Sequence, residues 1–549
     1  MDSEVWLKAR RYTPEQLDLA MKVLEEIRSG QVVAEAVRHH PMPDGGYLAK
    51  HVLVAAYRNM LSRGGWLPDA HLLAQIRMKP VRSLSGVTTV TVLTKPYPCP
   101  GRCIFCPSDI RMPKSYVPDE PGARRALEHE FDPYAQVSAR LEALSAVGHP
   151  TDKIELLILG GTWSAYPHDY QEWFIRRCFE ALNQRESPTL AEAFTVNETS
   201  QRRNVGLVIE TRPDHINPRM LVWLRKLGVT KVQMGAQSFD DHILELNRRG
   251  HTVQQTLQAV DLLRAAGFKI VLHWMPNLLG ATLESDREDF SKMWEGFCPD
   301  EIKIYPNQLI ESTELFRYWQ RGQFKPYTTE ELVTLLADVK PTIPRYCRVN
   351  RVIRDIPSTY VIAGNKRTSL RQDVHQELKK RQVRCQCIRC REIRSQMIDP
   401  NSLRPEQVVY QTGQIENHFL SYVTAGDRLA ARLASGQPDG AQAASGRLAG
   451  FLRLALPRED APQTDMADLE RAAIIREVHV YGQSLQVGAE ADGATQHSGL
   501  GTSLLDWAEQ IAHRQGFLRL AVISAVGTRQ YYLERGFERG DLYLVKNLG

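Results

Sequence analysis

The sequence has 549 residues, of which 43% are hydrophobic and 24% charged, and its formal net charge is +5. These values are typical of a globular protein, and the length predicts about two to four domains rather than one core. So small an excess of positive charge does not by itself indicate a nucleic-acid partner.

The N-terminus and the cysteines restrict the cellular setting. Acidic residues precede any apolar run, so no secretory signal is expected, and no stretch approaches the ~20 apolar residues of a membrane span. The nine cysteines form two groups of three and three single residues, Cys178, Cys298 and Cys347. This grouping is typical of metal sites in a reducing compartment rather than of disulfides. We therefore expect a cytoplasmic protein with no membrane segment.

Residues 1–78 predict helices. Thr13 and Pro14 have the N-cap and first-turn preferences of a helix that ends at Gly30, and a second helical stretch with basic residues follows. We expect residues 1–78 to be a basic helical segment.

Residues 79–346 predict strands that alternate with helices, which indicates a parallel sheet or a (β/α) barrel. Six repeats favour a partial barrel, and a seventh strand follows at 347–357. The candidate strands are 87–94, 153–161, 204–211, 231–238, 269–275 and 301–306.

Two further regions complete the chain. Residues 347–399 form a very basic linker that contains the second cysteine group. Residues 400–549 predict a separate α/β domain, interrupted at 434–446 by a Gly/Ala/Ser/Gln-rich stretch typical of a flexible loop. The expected fold class is therefore α/β.

The first cysteine group, Cys99, Cys103 and Cys106, follows the first barrel strand, at the end where barrel enzymes carry their chemistry. Three thiolates on a tight loop can hold three irons of a [4Fe–4S] cluster and leave the fourth open. The alternative is a structural zinc loop with a distant fourth ligand. The C-x3-C-x2-C spacing, with Phe105 before the last cysteine, resembles the radical S-adenosylmethionine superfamily.

Residues at later strand ends fit the same interpretation. The superfamily resemblance implies that Gly160 and Gly161 hold the amino group of S-adenosylmethionine, although glycine-rich turns are common. Glu210, Arg212 and Gln237 face the expected barrel mouth, where they could bind S-adenosylmethionine or a substrate base. Their alternative role is in salt bridges inside the barrel.

A glycine-rich turn opens a helix in the last domain. Gln496, Gly499 and Gly501 follow a strand at 474–482, and such a turn offers bare N–H groups to a pyrophosphate. An ordinary helix-start turn is the alternative for the glycines alone. With the order of strands and helices, the pattern resembles GNAT-type acyl-CoA transferases.

A radical domain followed by a GNAT domain is a rare combination. It resembles the family of Elongator catalytic subunits, tRNA wobble-uridine modifying enzymes, over nearly the whole chain. The gap between the first two cluster cysteines is shorter than in eukaryotic members, which suggests a bacterial or archaeal type. The segments that carry the resemblance are 79–100, 152–162, 209–214, 247–252, 476–482 and 521–537.

The resemblance implies a reaction and its partners. A 5′-deoxyadenosyl radical would take hydrogen from the methyl group of acetyl-CoA, the carbon radical would add to carbon 5 of the wobble uridine, and thioester hydrolysis would leave a carboxymethyl group. The partners would be acetyl-CoA and the anticodon stem–loop of a tRNA, without a requirement for accessory subunits. The sequence predicts neither the electron donor nor the oligomeric state.

The family resemblance also implies acetyl-CoA contacts. Without the resemblance, Lys153 could be a surface residue, and Tyr531 and Tyr532 could be a packing face of a helix. The contacts fall on Lys153, Glu477, Val478, His479, Val480, Gly499, Leu500 and Gly501, and on one tyrosine of the pair Tyr531 and Tyr532.

The second cysteine group, Cys385, Cys387 and Cys390, predicts a structural zinc site. We prefer Cys347 as the fourth ligand, with His375 as the alternative, and a second iron–sulfur cluster remains another interpretation.

Cations near this group and near residue 80 suggest phosphate contacts, although a charge run is usually a solvated face. The resemblance makes tRNA the expected partner, and the basic helical segment 1–78 is expected to bind it. The candidates are Arg77, Lys79, Arg82, Lys379, Lys380, Arg381, Arg384, Arg389 and Arg391.

Two other functions stay open from the residues alone. One is a lysine acetyltransferase with Glu477 as base and a structural iron–sulfur domain. The other is a non-catalytic tRNA-binding scaffold.

Overall fold

The computed structural model describes residues 11–80, 83, 85–394, 400–425, 446–481 and 499–549. Two predicted site residues, Arg82 and Gln496, and most of the glycine-rich loop at 434–446 lie outside these ranges. Among the described helices, none is both long and apolar enough to cross a bilayer.

The N-terminal segment is helical, as expected. Its helices share a small core that includes Leu24 and Leu53, and Arg58 Nη2 donates to Ser145 Oγ of the next domain at 2.8 Å. Cations and acidic residues nearly balance over 1–78, so the expectation of a basic segment is wrong. The helices are α1 (Pro14–Arg28), α2 (Val33–His39), α3 (Lys50–Ser62) and α4 (Ala70–Ile76).

The first sheet has seven parallel strands, each paired with the next in chain order, which is the topology of a partial barrel. Its last strand continues the sheet beyond the boundary expected at residue 346. The strands are β1 (Thr88–Leu93), β2 (Lys153–Leu159), β3 (Arg203–Thr211), β4 (Lys231–Gln237), β5 (Lys269–Trp274), β6 (Glu301–Ile304) and β7 (Arg348–Arg351).

On each strand of this sheet, every second side chain is apolar and points outward. Helices pack against these side chains and cover the outer face of the sheet. Val232 and Met234 of β4, for example, are fully buried in the main core. The helices are α5 (Pro121–Glu128), α6 (Pro133–Ala146), α7 (His168–Asn183), α8 (Leu190–Asn197), α9 (Pro218–Lys226), α10 (Asp241–Leu246), α11 (Val253–Ala265), α12 (Leu283–Lys292), α13 (Leu315–Gln320), α14 (Thr329–Val339), α15 (Leu370–Lys380) and α16 (Ile388–Arg391).

The last domain contains a mixed seven-stranded sheet in the order β13-β14-β12-β11-β10-β9-β8. Among the described strands of this sheet, only β11 and β12 pair in parallel. Helix α17, which lies between β11 and β12 in the chain, packs on β10 and β11. The elements are β8 (Leu403–Thr412), β9 (Ile415–Thr424), β10 (Leu448–Pro457), β11 (Ala472–Val480), α17 (Leu500–Arg514), β12 (Arg519–Val522), α18 (Arg529–Leu533), β13 (Glu538–Arg539) and β14 (Leu544–Asn547). The expected α/β class, a partial barrel followed by a second α/β domain, is confirmed.

The second domain docks on the amino ends of the barrel strands. Asp300, just before β6, is completely buried and accepts from Arg476 Nη1 of β11 at 3.0 Å. Arg453 of β10 and Arg264 of α11 lie within 3.4 and 3.8 Å of the same carboxylate. Because a buried charge needs partners, this cluster fixes one domain against the other.

Candidate active site

The cysteine loop lies at the carboxyl end of β1, where the chain leaves the sheet. Cys99 Sγ lies 3.5 Å from Thr162 Oγ1 and accepts from the Gly101 N–H at 3.4 Å. The buried Arg249 side chain donates through its Nη1 to Cys103 Sγ at 3.4 Å. The hydrogen bond with Cys106, and the charge of Arg249, lower the pKa of Cys103 to about 5.

This environment fits an iron–sulfur cluster. Thiolates are the ligands that such clusters require, and buried N–H donors to the sulfurs stabilise their negative charge. Cys99, Cys103 and Cys106 would each bind a different iron of such a cluster, so their sulfurs need not converge on one point.

The glycines after β2 allow close packing against the base of the loop. Gly160 has φ 146° and Gly161 has φ 88°. A Cβ on Gly160 would lie 1.7 Å from Thr94 Oγ1, and one on Gly161 would lie 3.3 Å from the Lys114 carbonyl oxygen. Only glycine fits at the first position, because the Thr94 side chain occupies the space where a Cβ would lie.

Gln237 ends β4 at a break in the register with β5 and has φ 74°, a strained value for a residue other than glycine. Its buried Oε1 has no hydrogen-bond partner among the described residues. An acceptor of this kind at the rim of the lumen fits a polar ligand such as S-adenosylmethionine.

Glu210 and Arg212 lie at the end of β3 but have different surroundings. Glu210 faces the lumen and accepts from Tyr116 OH at 2.9 Å. Arg212 donates to Asp214 at 2.9 Å, and its Nη1 lies against Gly101 of the cysteine loop. The structure therefore favours the salt-bridge alternative for Arg212, which supports the loop.

One cavity of about 650 Å³ runs through the barrel lumen and connects the two domains. It begins beside Cys106 at the carboxyl ends of the strands and reaches Glu477, His479 and Tyr532 of the second domain. Barrel interiors are ordinarily filled by packed apolar side chains, so this polar channel is a specialised feature.

Besides the Glu210 carboxylate, the upper part of the lumen holds neutral and positive groups. His273 Nε2 lies 3.2 Å from Gln233 Oε1, to which Lys303 Nζ also donates. Burial lowers the pKa of Lys303 to about 8 and moves the pKa of His273 well below its ordinary value. His273 is therefore neutral at pH 7.

The lower part of the lumen is lined by side chains of alternating charge. These side chains lie two residues earlier along the strands than those of the upper part, and so about 7 Å nearer the second domain. Lys231 Nζ contacts Glu155 at 2.6 Å and Glu301 at 3.3 Å. Lys269 lies 3.2 Å from Glu301 and also pairs with Glu477 of the second domain.

Glu477 is consequently saturated. Its carboxylate pairs with Lys269 and accepts from Arg453 Nε at 2.8 Å. Although burial alone would raise its pKa, these two cations lower it below the ordinary value. A carboxylate so held is a poor general base for an amine, which argues against the lysine acetyltransferase alternative.

The other predicted acetyl-CoA residues line or flank the lower end of the cavity. Val478 and His479 line it, and burial lowers the pKa of His479 to about 4. Val480 ends β11 next to them, and Lys153 begins β2 at the amino end of the barrel, where burial lowers its pKa.

The turn before α17 presents bare amides. Gly499 has φ 75° and caps the helix without a side-chain bond, so the N–H groups of the first turn, from Leu500 and Gly501 onward, carry the positive end of the helix dipole. Tyr531 OH lies against Gly501, whereas Tyr532 is buried and lines the cavity. The two tyrosines thus serve different parts of this site.

The comparisons with known proteins agree with this arrangement. Residues 97–292 match the model of the radical SAM superfamily, and residues 299–380 match that of the radical SAM C-terminal domain. The chain is 37% identical over 543 residues to the tRNA uridine(34) acetyltransferase of Methanocaldococcus jannaschii, covering 96% of this chain and 95% of that protein. It is 35% identical over 496 residues to human Elongator complex protein 3, covering 87% of each.

The chain belongs to the Elongator complex protein 3 family. The solved structure of the archaeal Methanocaldococcus infernus Elp3 with an N-terminal deletion aligns with a TM-score of 0.70 and 35% identity, covering 84% of this chain and 99% of that one.

In this Elongator protein 3 homologue, the second cysteine group is compact. Among the described residues, Cys385, Cys387 and Cys390 are the only three potential ligands whose atoms lie within 4.8 Å of one another. Cys347 is buried outside that group and His375 is exposed, so the fourth ligand stays a prediction.

The predicted tRNA cations divide into two sets. Lys79, Lys379, Lys380 and Arg384 are exposed. Of the other described candidates, Arg77 donates to the Gly148 carbonyl, Arg381 pairs with Asp338, Arg389 lines the cavity, and Arg391 is only 4% exposed.

Arg391 in particular donates to the carbonyl oxygens of Gln386 and Arg345 at 2.8 and 2.7 Å. The prediction that it contacts tRNA is wrong, because its role is to fix the chain around the cysteines.

Five polar residues of the lumen were not among those predicted from the sequence: Lys231, Gln233, Lys269, Glu301 and Lys303. The sequence does indicate them, because each lies at an inward-facing position of a strand whose alternate, outward-facing residues are apolar. Polar residues at such positions in a buried parallel strand are a sign of a lined channel.

Proposed function

We propose that this chain attaches a carboxymethyl group to carbon 5 of the tRNA wobble uridine and takes the two carbons from acetyl-CoA. The observation that carries the proposal is the continuous cavity between the cysteine loop and the acyl-CoA-type site. A reaction that joins a radical step to an acetyl donor needs such a connection. The names of the M. jannaschii and human relatives support the choice of tRNA uridine as substrate.

Cys99, Cys103 and Cys106 would hold a [4Fe–4S] cluster, with Gly160–Gly161 and Gln237 around S-adenosylmethionine. When bound, the pair supplies a 5′-deoxyadenosyl radical, a hydrogen-atom acceptor strong enough for an unactivated methyl group. Arg249 donates to Cys103 and orients its sulfur.

At the other end, the bare amides after Gly499 would bind the pyrophosphate of acetyl-CoA. Glu477–Val480, Lys153 and Tyr532 would direct the acetyl arm into the lumen, and Tyr531 would pack against the helix start. Water for thioester hydrolysis can enter through the polar lumen.

The exposed cations Lys79, Lys379, Lys380 and Arg384 would contact the phosphates of the anticodon stem–loop. Zn²⁺ bound by Cys385, Cys387 and Cys390 would stiffen the linker, with a fourth ligand from outside this group. A cytoplasmic location and activity without accessory subunits belong to the same proposal.

The test uses anaerobically reconstituted full-length protein with tRNA, acetyl-CoA and S-adenosylmethionine, followed by mass analysis of digested nucleosides. We expect 5-carboxymethyluridine. Cys103→Ser should abolish the product and leave tRNA affinity unchanged. An intact cluster that yields no adduct, or full activity in the variant, would refute the proposal.

A further inference from the structure

An aromatic patch beside the cysteine loop has no role in the site described above. Ring centroids of Tyr97 and Tyr166 lie 4.8 Å apart, those of Tyr166 and Tyr170 lie 5.2 Å apart, and those of Tyr170 and Trp173 lie 5.6 Å apart. These four rings form a continuous ladder, and Phe174 packs behind it, 5.7 Å from Tyr170.

The ladder opens to solvent at both ends. Tyr97, which contacts buried Tyr166, and Trp173, which contacts half-buried Tyr170, are each 37% exposed. They line a surface pocket of about 320 Å³ together with Lys95 and Asp169. That volume lies at the lower limit of small-ligand sites, so the pocket holds one flat group rather than a chain segment.

The patch is rigidly joined to the catalytic loops. Tyr166 OH is 2.7 Å from Thr94 Oγ1, and it donates to the carbonyl oxygens of Lys95 at 2.7 Å and Gly160 at 3.3 Å. Tyr97 lies two residues before Cys99 in the chain. A group stacked on this ladder is therefore held in a fixed position relative to the cysteine loop.

Two polar groups give the pocket hydrogen-bonding character. Lys95 Nζ lies 4.8 Å from the centroid of the Tyr170 ring. Asp169 Oδ1 accepts from the Tyr170 N–H at 2.8 Å, and its Oδ2 has no hydrogen-bond partner among the described residues. The pocket thus combines aromatic faces with one donor and one acceptor.

We infer that this pocket binds an unpaired base of the anticodon loop adjacent to the wobble nucleotide, stacked on Tyr97 and Trp173. The inference rests on the proposed function, since it requires tRNA as substrate. Splayed loop bases are recognised by aromatic stacking plus hydrogen bonds at their edges, and the neighbouring wobble base then enters the lumen. The Asp169 carboxylate accepts from an N–H or amino group at the edge of that base.

The test measures binding of synthetic anticodon stem–loops that carry 2-aminopurine at one loop position at a time. With the wild-type full chain we expect strong fluorescence quenching at a position next to the wobble nucleotide. Tyr97→Ala and Trp173→Ala should abolish that quenching and weaken binding about 5- to 150-fold, the range measured for one lost base–aromatic stack. Tyr97→Phe should preserve both signals because the ring remains.

Leu518→Ala is the matched control, since Leu518 is an exposed apolar side chain of the second domain, 51% exposed. Quenching and affinity that persist in both alanine variants would overturn the inference and leave the proposed function standing. Weaker binding without a position-specific loss of quenching would also overturn it, because it indicates a general surface effect or a protein-docking patch. Failure of the wild-type chain to bind any stem–loop would overturn both proposals.

Discussion

The most severe perturbation available at the domain junction is Asp300→Asn. The carboxylate is completely buried and faces Arg476, Arg453 and Arg264, whose side chains are at most 2% exposed. Removing one partner from a buried ionic cluster costs about 3–5 kcal/mol, because the remaining charges lose their compensation. For domains of this size, each kcal/mol shifts the thermal midpoint by about 2–4 °C, so we expect a fall of about 10 °C.

The assay is calorimetry of the full chain, with Asp338→Asn as the matched control. Asp338 also pairs with two arginines, Arg287 and Arg381, each at 2.7 Å, but its side chain is 31% exposed. A pair in that setting contributes less than about 1 kcal/mol. An Asp300→Asn midpoint that falls no further than the control would refute the role of this cluster.

The same cluster predicts a pH dependence. Burial opposes ionisation of Asp300, but Arg476 and the other arginines hold its pKa below the ordinary value. The stabilisation is therefore present above about pH 4 and lost as the pH falls further, and Asp300→Asn should be insensitive to that step.

Three further predictions concern single residues. Gly160→Ala should weaken S-adenosylmethionine binding at least about tenfold, measured by equilibrium dialysis, because the added Cβ meets Thr94. Gly322→Ala should bind S-adenosylmethionine normally, since Gly322 also has a positive φ of 71° but open space around the added Cβ. Cys385→Ser should remove zinc measured by plasma emission from the purified protein, and the buried, isolated Cys178→Ser should retain it; equal zinc in both would contradict the site. Burial raises the pKa of Asp286 to about 7, so the fold loses stability as pH rises from about 4 through 7. Asp286→Asn should therefore raise the thermal midpoint at pH 8 but not at pH 4. A gain of equal size at both pH values would rule out ionisation of Asp286 as the cause.

Local features of the fold and site were readable from the sequence. The spacing of Cys99, Cys103 and Cys106 and the Gly160–Gly161 pair depend on a few consecutive residues, and the structure places both at the carboxyl end of the first strands. The alternation of strands and helices likewise predicted a partial barrel, because each parallel strand needs a helical crossover.

Features that depend on long-range contacts were not readable. Lys269 and Glu477 meet across 208 residues, so nothing near either residue in the sequence shows that the second domain closes the amino end of the barrel. Arg391 sits among other cations in a stretch that reads as a solvated surface, yet backbone carbonyl oxygens enclose it. Composition alone cannot distinguish a buried arginine from an exposed one when its partners are main-chain atoms.

The central claim is that the lumen brings the acetyl methyl carbon to a tRNA base. It is tested most directly with acetyl-CoA labelled with ¹³C in the methyl group, incubated with reconstituted protein, S-adenosylmethionine and tRNA. We expect one ¹³C in the CH₂ group bonded to carbon 5 of the wobble uridine. The product should be lost in Thr91→Trp, because Thr91 lines the lumen and the larger side chain would fill it. An intact acetyl group on an oxygen or nitrogen of the tRNA, or label transfer that survives the blocked lumen, would contradict it.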